Sequence, residues 1–329
     1  MKNDSQKLNP KLFDKDVEQV PIRQGFGEGL LSSAKLDERV VGLCADLTES
    51  TKMDAFKKDF PKRFIEIGVA EQNLAAVASG VAAMGKIPFL SSYAVFSPGR
   101  NWEQIRTTIC YNDRNVKIVG SHAGVSVGPD GGSHQALEDI AIMRTLPRMR
   151  VIVPCDSIEA KKATIAIAKK DGPVYLRLAR EKTPVVTTED TPFEFGKASL
   201  LWNSEKPTVA IIACGPMVYN SLIAAKNLSE EGIEVLVLNL HTIKPIDKET
   251  VIEVAKRAGR VVTVEEHQVA GGMGSAVAEV LAQNYPVPME FVGVQDKFGQ
   301  SGTPTELVEF YGMGVGSIIE AIKKIMSKK

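Results

Sequence analysis

The chain has 329 residues, 44% apolar and 24% charged, the balance of an ordinary soluble globular protein of about two domains. Lysine plus arginine equals aspartate plus glutamate, 40 against 40, so no bulk field draws it to nucleic acid or to an anionic membrane. No window approaches the ~18 uninterrupted apolar residues of a membrane span, and the polar start MKNDSQKLNPKLFDKD lacks a signal-peptide core, so a cytoplasmic protein is expected.

In chain order, a polar extension (1–19) precedes a first alternation of strands and helices. Strands are predicted at 39–45, 63–68, 86–92, 115–121, 149–154 and 173–178, with helices at about 22–35, 70–84, 100–112, 135–146 and 157–170. Continuous apolar strands separated by helices imply a parallel sheet covered on both faces. The segment 181–196, EKTPVVTTEDTPFEFG, breaks the pattern with two prolines and four threonines and reads as a linker or a wandering strand pair. A second alternation follows, with strands at 208–214, 234–240, 260–266 and 289–294 and helices near 216–231, 247–258, 272–284 and 314–327. The expected fold class is α/β. It has two consecutive domains, 20–190 and 191–329, each with a mostly parallel sheet flanked by helices. Cys44, Cys110, Cys155 and Cys214 are scattered in or beside apolar runs, as expected of buried free thiols rather than disulfides or metal ligands.

Ligands of such sheets sit beyond the carboxyl ends of the strands. After the first strand, ADLTEST (45–51) gathers Asp46, Thr48, Ser50 and Thr51, which serve a turn or helix cap as readily as a ligand. After the second comes Glu71, opening a segment (LAAVASGVAAMG) apolar on all sides. Such a helix is expected to be buried, and no cation is local to Glu71, so its carboxylate is either a helix-start residue or a group with a task. After the third strand, Tyr93 and Phe96 are core plugs or flat surfaces for a ring. After the fourth, SHAGVSVGPDGGSHQ holds His122, Asp130 and His134 among Gly124, Gly128, Gly131 and Gly132. Glycines there would let the backbone approach a ligand, and histidine moves protons near neutral pH. No GxxxxGK[ST] is present, and GGMG (271–274) opens a helix without a full dinucleotide fingerprint. His241 and His267 read as strand-end caps or domain contacts.

ADLTES, RFIEIGVAEQN, YAVF, GSHAGVSVGPDGGSHQ, RTLPRMRVIVPCD and YLRLARE, in this order, resemble the pyrimidine-binding domain of transketolase, and VEEHQVAGGMGSAVAE is similar to that family's C-terminal domain. The resemblance implies thiamine diphosphate as cofactor, with Glu71 hydrogen-bonded to ring nitrogen N1′. That bond favours the imino form of the 4′-amine, which removes the proton from the thiazolium carbon. It implies that Phe96 stacks on the aminopyrimidine, with Tyr93, Asp46 and Leu47 around it. His122, Asp130 and His134 would meet substrate hydroxyls. Arg23, Ser50, His122 and Arg180 would hold a sugar phosphate, which suits a bidentate arginine fork.

The family's Gly-Asp-Gly…Asn segment, which binds Mg²⁺ and the diphosphate, has no match here. The resemblance therefore implies one subunit of a split transketolase, inactive alone. A partner N-terminal subunit would carry the Mg²⁺ site, in an α2β2 heterotetramer, with a self-dimer open to the isolated chain. No protein metal ligand, nucleic acid or membrane partner is expected. The β subunit of a 2-oxoacid dehydrogenase is the alternative, set against by GPDGGSHQ where those chains tend to carry a GGHHSQ-like run. Deoxyxylulose-phosphate synthase tends to have Arg near His122. A non-catalytic half-enzyme is set against by the joint presence of Glu71, His122, Asp130 and His134.

Overall fold

The computed structural model describes residues 1–328. The strands are β1 (Gln19–Pro21), β2 (Val40–Cys44), β3 (Phe64–Glu66), β4 (Ile87–Tyr93), β5 (Lys117–Ser121), β6 (Arg150–Ile152), β7 (Val174–Arg177) and β8 (Lys182–Pro184). They continue as β9 (Ser199–Trp202), β10 (Val209–Ala213), β11 (Val235–Asn239), β12 (Thr242–Lys244), β13 (Val261–Gln268) and β14 (Met289–Val294). One sheet has the order β12-β6-β7-β5-β4-β2-β3, a second β14-β13-β10-β11-β9, and β1 pairs with β8 alone. Every pairing in the two large sheets is parallel except those of the edge strands β12 and β9. β2, β5 and β7 are buried at every position, as strands covered on both faces must be.

β12 comes from the second alternation yet closes the first sheet, antiparallel to β6. Three residues are too few for a period-2 signal to predict it. One apolar core runs across the junction, from Leu43, Leu90 and Tyr175 to Ile212, Leu238 and Ile243. The segment 181–196 supplies β8, which pins β1 and so the start of the helix Ile22–Leu36. That helix lies close against Ser157–Ala168: a Cβ on Gly25 would stand 1.7 Å from Ser157 O, and one on Gly29 2.7 Å from Thr164 Cβ. Gly25 and Gly29 of RQGFGEG thus serve helix–helix contact, while Gly27 faces the Lys52 turn.

Two expectations need correction. The helix predicted at 100–112 is a short α-turn, Trp102–Gln104, running into a π-helix, Ile105–Cys110. The helix Glu71–Ala83 is not buried all round: Leu74, Ala75, Ala78 and Ser79 face inward, whereas Gln72, Asn73, Ala76 and Gly80 are exposed. Val69 and Met84, at its two ends, are 71% and 82% exposed. These two large apolar side chains are left in water by their own chain, beside an outward face that otherwise carries amides and small residues. All four cysteines are buried and free. Among the described residues no helix is long and apolar enough to cross a membrane.

Candidate functional site

Because β7, β5, β4, β2 and β3 are neighbours in register, their carboxyl ends open on one edge: Gly120 lies beside Arg177, Tyr93 beside Ser121, and Cys44 beside both Ser91 and Glu66. The loops that follow carry nearly every residue singled out above.

Tyr93 and His122 stack, with ring centroids 3.7 Å apart and planes 22° from parallel. Phe96 extends the stack from Tyr93 at 5.8 Å, and His134 meets Phe96 edge-on at 5.4 Å. His122 and Asp46 both hold left-handed backbone, at φ +56° and +59°, a conformation non-glycine residues seldom adopt and one that clusters at functional sites. The Asp46 turn is fixed by Glu66, which no motif in the sequence singles out. Its carboxylate accepts from Asp46 N at 2.7 Å, Thr48 Oγ1 at 3.1 Å and Gly68 N at 3.1 Å. Leu47 is half-buried in the same turn.

Arg23, in the first turn of its helix, donates to Ser50 O at 2.5 Å and to Arg180 O at 3.1 Å. Arg180 donates to Val127 O at 2.6 Å and pairs with Asp130 at 3.3 Å and Glu181 at 3.4 Å. Burial and then Arg180 lower the Arg23 pKa. Burial pushes the His122 imidazole down to about 2, helped by Arg23, Arg180, His134 and Lys52. Lys52 had no sequence signal beyond its place after the Ser50 turn. A neutral imidazole beside two guanidiniums is a place for an anion, with the charge on the arginines rather than on His122.

Glu71 is 5% exposed and opens its helix. The cation the sequence did not reveal is Arg100, whose Nη1 lies 3.4 Å from both carboxylate oxygens. It comes from the loop after β4, and no helical spacing links it to Glu71. The same guanidinium sits 4.1 Å from the centroid of Phe96. Asn101 Nδ2 ties the two loops together by donating to Glu71 O at 2.9 Å and Ser97 Oγ at 3.1 Å.

The glycines around Asp130 also meet the second domain. A Cβ on Gly124 would stand 2.3 Å from the Glu266 carboxyl carbon, on Gly131 2.7 Å from Ser301 Oγ, and on Gly132 2.5 Å from Gly299 O. They let the second domain approach the backbone. Of the remaining histidines, His267 accepts the Ala141 N–H across the domain junction at 3.4 Å, and His241 packs on Phe193 at 4.6 Å. The GGMG helix start is filled by Glu265, which accepts from Met273 N at 2.7 Å and Gly274 N at 2.8 Å.

The transketolase pyrimidine-binding domain model matches residues 18–185, and the transketolase C-terminal domain model residues 196–318. A chain of Methanocaldococcus jannaschii, provisionally named a transketolase C-terminal section, is 45% identical over 94% of this chain and 97% of its own. A 6-deoxy-6-sulfo-D-fructose transketolase subunit of a Clostridium strain is 42% identical over 96% and 98%. Among solved structures, a split-gene transketolase described as an inactive beta4 tetramer superposes with a TM-score of 0.87 at 45% identity, over 94% of this chain and 99% of that one.

The lowered pKa predicts that His122 stays neutral wherever the chain is folded. Its neutral form supports folding above the ordinary imidazole value near 6.5. That support shrinks as pH falls below it, because the unfolded chain then takes up a proton the folded one refuses. Ring-nitrogen NMR should show no His122 titration down to pH 5, and a midpoint above 5 would contradict the burial argument.

Proposed function

The chain belongs to the transketolase family, and from that premise we propose that it is the C-terminal subunit of a two-chain transketolase. It would move a two-carbon ketol unit between sugar phosphates, as in pentose phosphate metabolism in the cytoplasm. The observation that carries the reading is the meeting of a buried Glu71, the Phe96–Tyr93–His122 stack and the Arg23–Arg180 pair at one sheet edge.

Membership in the family brings thiamine diphosphate, and the residues fit its pyrimidine end. Glu71 is a buried carboxylate whose partner, Arg100, is itself 53% exposed at the side chain and free to yield. Phe96 offers an aromatic face beside it. When bound, this cofactor supplies a nucleophilic carbon and the electron sink for breaking a ketose C2–C3 bond. Glu71 would hold a proton at the pyrimidine N1′, and its burial would strengthen that hydrogen bond. Asp46 and Leu47 would flank the ring.

Neutral His122 both donates and accepts, which suits sugar hydroxyls, and His134 and Asp130 serve the same hydroxyls from across the stack. Arg23 and Arg180, with Ser50, hold the terminal phosphate. Two guanidiniums converging near one point are favourable once an anion lies between them. The relative named for a sulfonated sugar suggests that the shared requirement is a terminal anion.

The Mg²⁺ and diphosphate site is assigned to an N-terminal partner subunit in an α2β2 assembly. Three features support this: the exposed Val69 and Met84 at the two ends of the Glu71 helix, relatives that are themselves subunits, and an inactive tetramer formed by a similar chain.

Glu71→Gln keeps the shape and removes the ionisable proton. In the reconstituted enzyme kcat should fall at least ~100-fold, as expected for lost general acid–base catalysis, with Tm unchanged. A kcat within twofold of wild type would take Glu71 out of the chemistry. Arg180→Ala should raise KM for phosphorylated sugars by about 1.5–3 kcal/mol, or ~10–150-fold, as for a lost charge-assisted contact. KM for unphosphorylated ketoses should hold steady. Equal effects on both sugar classes would make Arg180 a loop support instead of a phosphate ligand.

A further inference from the structure

The loop that carries His122, Asp130 and His134 is fastened to the second domain. Glu266 of β13 is 1% exposed, and its Oε1 accepts the Ser126 N–H at 2.5 Å. Ser126 lies midway between His122 and Asp130, four residues from each. Gly124, at φ +90°, turns the backbone under that carboxylate, where any Cβ would collide with it. Arg177 anchors the Glu266 backbone by donating to its carbonyl at 2.9 Å and reaches Ala136 O at 3.3 Å. The far end of the loop is held by Gln135, whose Nε2 donates to Val125 O, Gly128 O and, across the junction, Gln300 O at 3.0 Å. Gly128 packs on Pro304 of the second domain, whose ring carbons would lie 3.2 Å from a Cβ at that position.

A carboxylate withdrawn this far from water is costly unless its bonds do something for the molecule. Glu266 spends its bond on one backbone amide in the other domain. A loop with four glycines has much conformational freedom to lose, and a buried carboxyl acceptor at Ser126 removes part of it.

We propose that Glu266 is a positioning residue: from the second domain it clamps the Ser126 amide and so sets where His122, Asp130 and His134 stand relative to the substrate hydroxyls. The C-terminal domain then has a task in the site without contributing a side chain that touches substrate. This deepens the transketolase-subunit reading and rests on it for the identity of the substrate.

The test compares Glu266→Ala and Glu266→Gln with wild type, each as the full chain combined with its partner subunit. The alanine variant should raise KM for the ketose donor at least tenfold and leave the affinity for thiamine diphosphate unchanged. In the full chain its Ser126 amide should exchange hydrogen at least tenfold faster, while β5 and the helix Glu71–Ala83 keep wild-type protection. The glutamine variant retains an acceptor oxygen and should stay near wild type in both. Wild-type KM and protection in Glu266→Ala would overturn the proposal, as would equal, chain-wide loss of protection in both variants. Should Glu266→Ala fail to fold, Gly124→Ala separates loop from carboxylate by steric contact. It must then show the same KM rise and local exchange, and wild-type values would equally overturn the clamp. Absence of ketol transfer in the wild-type mixture would sink the transketolase reading, and the exchange measurements alone would then decide the clamp.

Discussion

Arg177 has almost no access to water, and the acceptors around its guanidinium decide how the two halves of the chain meet. Nε pairs with Asp139 at 2.8 Å, both side chains being 3% exposed or less, and Nη2 donates to the carbonyls of Ala136 and Glu266. Tyr175 adds a hydrogen bond to the same Asp139 oxygen at 2.7 Å. Burial alone would raise the Asp139 pKa; Arg177 overcomes it and leaves the carboxyl below its ordinary value. Removing one partner of such a pair strands a charge in the interior, at a cost of about 3–5 kcal/mol. One end of β7, the foot of the histidine loop and β13 are thereby held at fixed distances.

From that anchor the site follows by geometry. Parallel strands in register bring five loops to one edge, and each contributes one kind of chemistry: a turn carrying Asp46, a buried carboxylate, an aromatic stack, a histidine loop and an arginine. Electrostatics sorts their roles. Burial, helped by the field of Arg23 and Arg180, keeps His122 neutral, so on the proposed reading anion binding and hydroxyl recognition would fall to different groups at the same edge.

The fold was legible because fully buried parallel strands leave continuous apolar runs, as at VVGLC and VYLR. What the sequence hid was tertiary. Arg100 reaches Glu71 from another loop, and Glu66 and Glu266 each clamp a distant amide. β12 is too short to announce itself. The glycines around Asp130 were visible, but not the second-domain atoms they meet, since a glycine reports only that something comes close. The apolar helix after Glu71 was expected inside; part of it faces outward, because hydrophobicity does not say which chain will cover it. Most of the proposed site residues, Leu47 and Phe96 apart, were candidates because they are polar groups after apolar strands, where an α/β sheet places its ligands.

The central claim is that this chain holds one half of a thiamine-dependent site and needs a second polypeptide for the other. The most direct measurement is ketol transfer from xylulose 5-phosphate to ribose 5-phosphate with thiamine diphosphate and Mg²⁺, run on this chain alone and on the chain mixed with the polypeptide that co-purifies with it. Turnover in the mixture and none in the lone chain is the predicted result. Turnover by the lone chain, or 2-oxoacid decarboxylation without ketol transfer in the mixture, would contradict it.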